Sequence, residues 1–176
     1  MRLTHFFLIL LLIPFSLLAQ DWKTFDDTSV AFTAKYPSTW VNKIKDGKRV
    51  FFTSPGENDK DVFYENVNIH MTRNSAFGSE IKIKDAIPSV LENLGNTIDN
   101  FTKLTERYFK WNDNDACELI YTGQIKDSEL QIKITQWFCF SESRLFTATY
   151  TALASNTVYT QPALKILKSI SFRKSF

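Results

Sequence analysis

An α+β fold, in which helices lie on an antiparallel sheet, follows from three features of this sequence. Segment 115–152 reads as three consecutive strands. Two other segments, from Asp85 to Gly95 and from Gln161 to Ile170, carry apolar residues at helical spacing. The polar connections 126–129 and 141–144 are short enough to be hairpin turns. In the first strand of this meander, Cys117, Leu119, Tyr121 and Ile125 are the apolar positions. In the second they are Leu130, Ile132, Ile134, Phe138 and Phe140, and the third, 145–152, is rich in Thr, Phe and Tyr. Period-two alternation of β-branched and aromatic side chains is the mark of a sheet with one face committed to burial. Strands, a helix, more strands and a last helix make the α+β order.

The earlier elements follow the same logic. Trp22 and Phe25 mark a short edge strand. Val30, Phe32, Ala34 and Tyr36 alternate in a second, which Pro37 stops because proline has no amide proton and keeps the preceding residue extended. Segments 40–44 and 49–53 form a hairpin about Asp46-Gly47, a strong turn dipeptide. Segment 54–61 is a solvated loop and 62–72 a further strand, with Phe63, Glu65, Val67, Ile69 and Met71 on one face and Tyr64, Asn66, Asn68 and His70 on the other. After a second loop, 74–80, Asp85 is placed to cap a helix with Pro88 in its first turn and Gly95 as a C-cap, with Ile98 and Phe101 as the alternative that extends the pattern by a turn. Residues 104–111 are extended, 112–115 turn the chain, a helix becomes regular near Gln161, and Ser171-Phe172 ends as a strand pair.

At 176 residues, with 44% hydrophobic and 15% aromatic content, the chain holds one well-filled domain and is not disordered. A net charge of +2, with 21 basic and 19 acidic residues interspersed, leaves no basic run to track phosphates, which argues against nucleic acid as a partner. Arg2, the apolar run from Phe6 to Leu18 and the small Ala19 follow the order of a secretory signal peptide, so residues 1–19 are expected to be removed and 20–176 to form the domain. The expected address is periplasmic or extracellular, with membrane attachment only through an uncleaved signal. No Cys follows the apolar run, so the signal is not of the lipoprotein type. Export permits a disulfide, but the turn at 126–129 sets Cys117 opposite Phe138 and Cys139 opposite Ala116, on different faces; free buried thiols are expected.

No reaction centre is legible. The five glycines are scattered, with no phosphate cradle, and no G-x-S-x-G is present. His70, the single histidine of the mature chain, has no local nucleophile or carboxylate to form a catalytic set. Asn66, Asn68 and His70 line one strand face, a candidate polar binding patch. Trp137, which shares its face with Lys133 and Thr135, is a candidate recognition aromatic; Trp40 and Trp111 read as core or corner residues. Glu57, Asp59 and Asp61 alternate carboxylates without the spacing of an EF-hand, and Asn112–Asp115 reads as turn chemistry. Asn100-Phe101-Thr102 matches a glycosylation acceptor, relevant only in a eukaryotic secretory route.

Three motifs together resemble one family. They are Tyr36-Pro37-Ser38-Thr39-Trp40 after the first strands, Val50-Phe51-Phe52-Thr53-Ser54-Pro55 followed by the stretch from Asp61 to Ile69, and Tyr150-Thr151-Ala152 followed by a helix ending in Ile166-Leu167-Lys168-Ser169-Ile170-Ser171-Phe172. They are similar to the PsbP-like family, which shares its fold with the DcrB-like envelope proteins. The resemblance implies an antiparallel sheet of about six strands flanked by helices, an α/β/α sandwich, and no catalysis and no cofactor. Photosynthetic members dock on a membrane complex through an N-terminal extension; here the first strand follows Ala19 almost at once, so that docking is not expected. The resulting expectation is an exported, monomeric, non-enzymatic interaction module for a protein or envelope component. The alternative is a protein that binds a small ligand or a divalent cation through the Asn66, Asn68 and His70 face or the 57–61 loop.

Overall fold

The computed structural model describes residues 21–73, 81–141 and 143–173. The signal-like segment, the loop expected over 74–80 and Glu142 of the last hairpin turn lie outside them. The elements run β1 (Trp22–Asp26), β2 (Phe32–Pro37), β3 (Val41–Lys45), β4 (Arg49–Thr53), β5 (Asn66–Arg73), α1 (Ile83–Thr97), β6 (Asp99–Trp111), β7 (Asn114–Gln124), β8 (Gln131–Ser141), β9 (Arg144–Leu153), α2 (Thr160–Ser169) and β10 (Ser171–Phe172). All strand pairings are antiparallel.

The fold is α+β, but its strands divide between two sheets. A seven-stranded sheet has the order β3-β4-β5-β9-β8-β7-β6, and β1, β2 and β10 form a separate three-stranded sheet. The large sheet meets the expectation of an antiparallel sheet of about six strands with helices packed on it, and the small sheet is added to it. Alternation shows that β1 and β2 each have a buried face without showing which strands they join. The Tyr36–Trp40 corner separates them from β3: Ser38 N–H bonds back to Asp21 (2.7 Å) and Trp40 N–H to Pro37 (3.0 Å), closing the turn after β2.

Left-handed backbone makes the hairpins tight. Asp46 and Gly47 have φ of 54° and 60° in the three-residue loop between Lys45 and Arg49, and Asn112 and Asp113 have 49° and 64° in a two-residue turn between Trp111 and Asn114, paired positive values whose twist matches the flanking strands. The central register is the one expected: Cys117 lies opposite Phe138 and Cys139 opposite Ala116. Both thiols are free and buried. Burial pushes the Cys117 thiol up to about 11 and the Cys139 thiol to about 12, so neither is a nucleophile at neutral pH.

Three local expectations shift. The helix begins at Ile83 rather than at an Asp85 cap; Lys82 occupies the cap position without a side-chain bond, and Asp85 sits inside the first turn, where its charge meets the positive end of the dipole. Gly95 does not end α1. The helix runs on to Thr97, because Ile98 has a seat beyond it: a Cβ on Gly123 would lie 2.2 Å from Ile98 Cγ2, so only glycine admits this contact. The strand expected from Val62 starts at Asn66. Before it, Asp61 accepts the amides of Glu57 and Phe63 (both 3.0 Å) and bends the chain into a loop.

Two cores result, one on each face of the large sheet. Under α1, Ile83 and Ile87 pack with Cys117, Leu119, Tyr121, Ile132, Ile134 and Phe138. On the other face the small sheet and α2 cover Val67, Ile69, Phe146, Ala148 and Tyr150, with Phe32, Phe52, Ile166 and Leu167 fully buried between the layers. Burial of such a side chain contributes about 1.5–3 kcal/mol. An aromatic train crosses this layer: Phe146 stacks on Phe172 (4.1 Å), Phe172 meets Trp111 edge-on (4.8 Å), and Trp111 meets Trp137 (5.4 Å).

Candidate functional site

α2 does not seal the sheet it covers. Between the helix and strands β6 to β9 runs a partly enclosed groove of about 520 Å³. The register explains its lining: Arg107 pairs with Glu118, Glu118 with Trp137, Ile120 with Thr135, and Thr135 with Tyr150, so these side chains rise from one face of four adjacent strands. Gln161, Leu164 and Lys168 supply the helical wall, and Asn156 and Thr157 close one end. A shallower cleft of about 350 Å³ shares Arg107, Trp137 and Lys168 and continues toward Trp111.

The floor holds an ion pair between a buried carboxylate and a half-exposed guanidinium. Glu118, 7% exposed, takes the Trp137 indole N–H at 2.7 Å on Oε2 and the Arg107 guanidinium at 3.0 Å on Oε1. Both carboxylate oxygens are thereby engaged, and Arg107 also lies over the Phe109 ring at 5.2 Å. Tyr150 is in a different state. Its hydroxyl is buried beside the Thr160 side chain, yet the approach falls short of a hydrogen bond and the group has no partner. Burial, together with the nearby carboxylates Glu65 and Glu57, pushes this phenol up to about 12, so it remains a donor at any physiological pH.

Beyond the Asn156 end lies Glu65, fully buried. Its Oε1 accepts Asn156 Nδ2 at 2.7 Å, and the same amide group also reaches Glu57. Burial is the main cause holding the Glu65 carboxyl above the usual range, with Asp61 and Glu57 adding repulsion.

Of the sequence-selected residues, Trp137 lines the groove and the other three do not. Asn66, Asn68 and His70 are half-buried on the opposite face of the sheet, the α1 face, and pair there with Thr151, Thr149 and Thr147. Beyond them Thr149 accepts from Gln136, which in turn accepts from Tyr121 (both 2.9 Å). Arg49 is the β4 partner of His70. Burial first, then the Arg49 and Lys48 charges, depress the imidazole below its ordinary value and leave it neutral and in cationic surroundings. Among the described residues no group of three or more His, Cys, Asp or Glu could hold a metal ion. The 57–61 loop spends Asp61 on backbone amides, as the turn reading of such residues implies. Glu118, Arg107, Tyr150 and α2's contribution were not selected from sequence. The available signal was the Lys133-Thr135-Trp137 face, a polar run on a strand whose other face is almost wholly apolar.

The architecture is a PsbP-like fold. By sequence the chain matches no family model and no curated protein. By structure it is similar to a Pseudomonas aeruginosa protein of unknown function described as a candidate regulator, with a TM-score of 0.62 and 15% identity over 88% of this chain and 99% of that one. It is also similar to cyanobacterial PsbP from Synechocystis, at 0.59 and 12% over 89% and 95%. A third likeness is to Mycobacterium tuberculosis LpqN, a protein involved in cell envelope biogenesis, at 0.62 and 8% over 89% and 86%. At these identities the likeness is one of fold.

Proposed function

We propose that this chain is an exported, non-enzymatic binding module of the cell envelope, and that it binds through the groove between α2 and the large sheet. The groove itself carries the reading: it is the place where a buried carboxylate paired to Arg107, an orphaned hydroxyl and an aromatic floor converge. Its lining includes neither His nor Cys, and its one carboxylate is already engaged twice, so it offers recognition and no nucleophile–base pair. The signal-like N-terminus and the likeness in fold to an envelope-biogenesis protein support the address.

The test is site-specific photo-crosslinking in cells of the source organism. A benzophenone amino acid at Gln161, on the groove wall, should give discrete adducts in the envelope fraction. The same probe at Glu92, exposed on α1, should give none. Equal labelling at both positions, or none at 161, would sink the proposal.

A further inference from the structure

We infer that the groove takes an amphipathic organic anion, with its acid group between Lys133 and Tyr150 and its apolar body over Trp137; this rests on the groove being the binding site. The argument begins with charge. Arg107, Lys133 and Lys168 are the lining cations and Glu118 the lining carboxylate. Glu118 is committed to Arg107 and Trp137, whereas neither Lys133 nor Lys168 has an ion-pair partner among the described residues. Two exposed ammonium groups therefore stand along one apolar trough, Lys133 toward the Asn156 end and Lys168 toward Trp111, and the one lining carboxylate is already paired. Lys168 stands in the last turn of α2, where a cation complements the dipole, but Lys133 stands on a strand and has no such role.

The body of the ligand is set by the floor. Ile120, Trp137, Ala152 and Leu164 present apolar surface along the trough. A simple inorganic anion would leave that surface wet, and a neutral hydrocarbon would leave both lysines unused. The second, independent observation is Tyr150. It lines the trough, is 4% exposed, and keeps a protonated hydroxyl with no acceptor. An unpaired buried donor is costly, and a ligand oxygen is the partner that would satisfy it. Lys133 stands opposite Ala152, one step along the same face from the Thr135–Tyr150 pair, so one ligand carboxylate is placed to meet both the ammonium and the phenol, while Glu57 and Glu65 lie beyond Asn156, outside the lining.

The closing experiment is calorimetric titration of residues 20–176 with decanoate, decanol and inorganic phosphate. Decanoate should bind, phosphate should give no heat, and decanol should bind at least about tenfold more weakly than decanoate. The double variant Lys133→Gln/Lys168→Gln changes only exposed side chains, so it should fold normally and reduce decanoate affinity to that of decanol. Decanol binding as tightly as decanoate, phosphate binding alone, no binding of any of the three, or an unaffected double variant would each overturn the inference. The Gln161 crosslink separates the two readings: adducts there without decanoate binding mean a groove with another class of ligand, and loss of both removes the groove as a site.

Discussion

On the face under α1, the helix lies over β6 to β8 with Ile83 and Ile87 buried, and the packing beneath it is mainly aliphatic, with Tyr121 and Phe138 buried and Phe63, Phe101 and Phe140 at its margin. On the face under α2 and the small sheet, the packing is aromatic and layered, and it opens at one end into a groove with an ion pair in its floor. The same strands build both. The difference comes from what covers them. α1 closes on its buried side chains except at its first turn, where a cleft of about 520 Å³ lined by Ile83, Lys84, Tyr108 and Asp115 opens at the sheet edge. α2 and the small sheet meet large rings that hold the layers apart, and rings propped at that distance leave space at the margin. Aromatic packing thus provides both the mechanical centre of this protein and its cavity.

The comparison can be broken by truncating one side chain on each face. Phe146→Ala removes a ring that is fully buried, stacked on Phe172 and overlain by Arg144; it should cost about 3–5 kcal/mol in a urea titration. Ile87→Ala on the α1 side should cost about 2–3 kcal/mol. The reverse order would mean that α1, not the aromatic layer, is the keystone. A smaller effect is expected in the groove. Glu118→Ala leaves the Trp137 N–H without its acceptor and should cost about 1–3 kcal/mol, while Glu118→Gln, which keeps an acceptor oxygen, should lose clearly less. Equal losses would show that the charge, and not the hydrogen bond to the indole, is what the floor needs.

The smallest effect is one of pH. The folded state holds the Glu65 carboxyl above its ordinary value, so its contribution to stability is complete in acid, below about pH 4, and is lost as pH rises through the folded-state value. Glu65→Gln should therefore raise the melting temperature at pH 7 and gain little or nothing at pH 4. A gain that does not depend on pH would place the effect in packing instead.

The meander was legible because each clue in it is local. Alternation fixed the faces of β7, β8 and β9, and a short polar turn fixed the register of β7 on β8 to the residue, including the divergence of Cys117 and Cys139. What was not legible depends on distant partners. Nothing near Phe32 says that it will pair with Phe172 rather than join the large sheet. Nothing near Gly95 chooses between a cap there and the longer pattern through Ile98, whose seat against Gly123 lets α1 run past a residue that often ends helices. The groove was legible only through the Lys133, Thr135 and Trp137 face of β8, because its other members come from β6, β7, β9, the following loop and α2. Asn66, Asn68 and His70 formed a true face, and the structure places it on the side of the sheet away from the groove.

The pairing of β10 with β2 has a consequence for how the chain is made. Ser171 bonds alongside Thr33, Arg173 N–H reaches Ala31 at 2.8 Å, and the Arg173 guanidinium joins Asp26. The three-stranded sheet therefore unites residues some 140 positions apart and cannot close until the ribosome has delivered the last of them. Throughout synthesis the partner that completes β1 and β2 is still missing, because it is the last strand of the domain to be made.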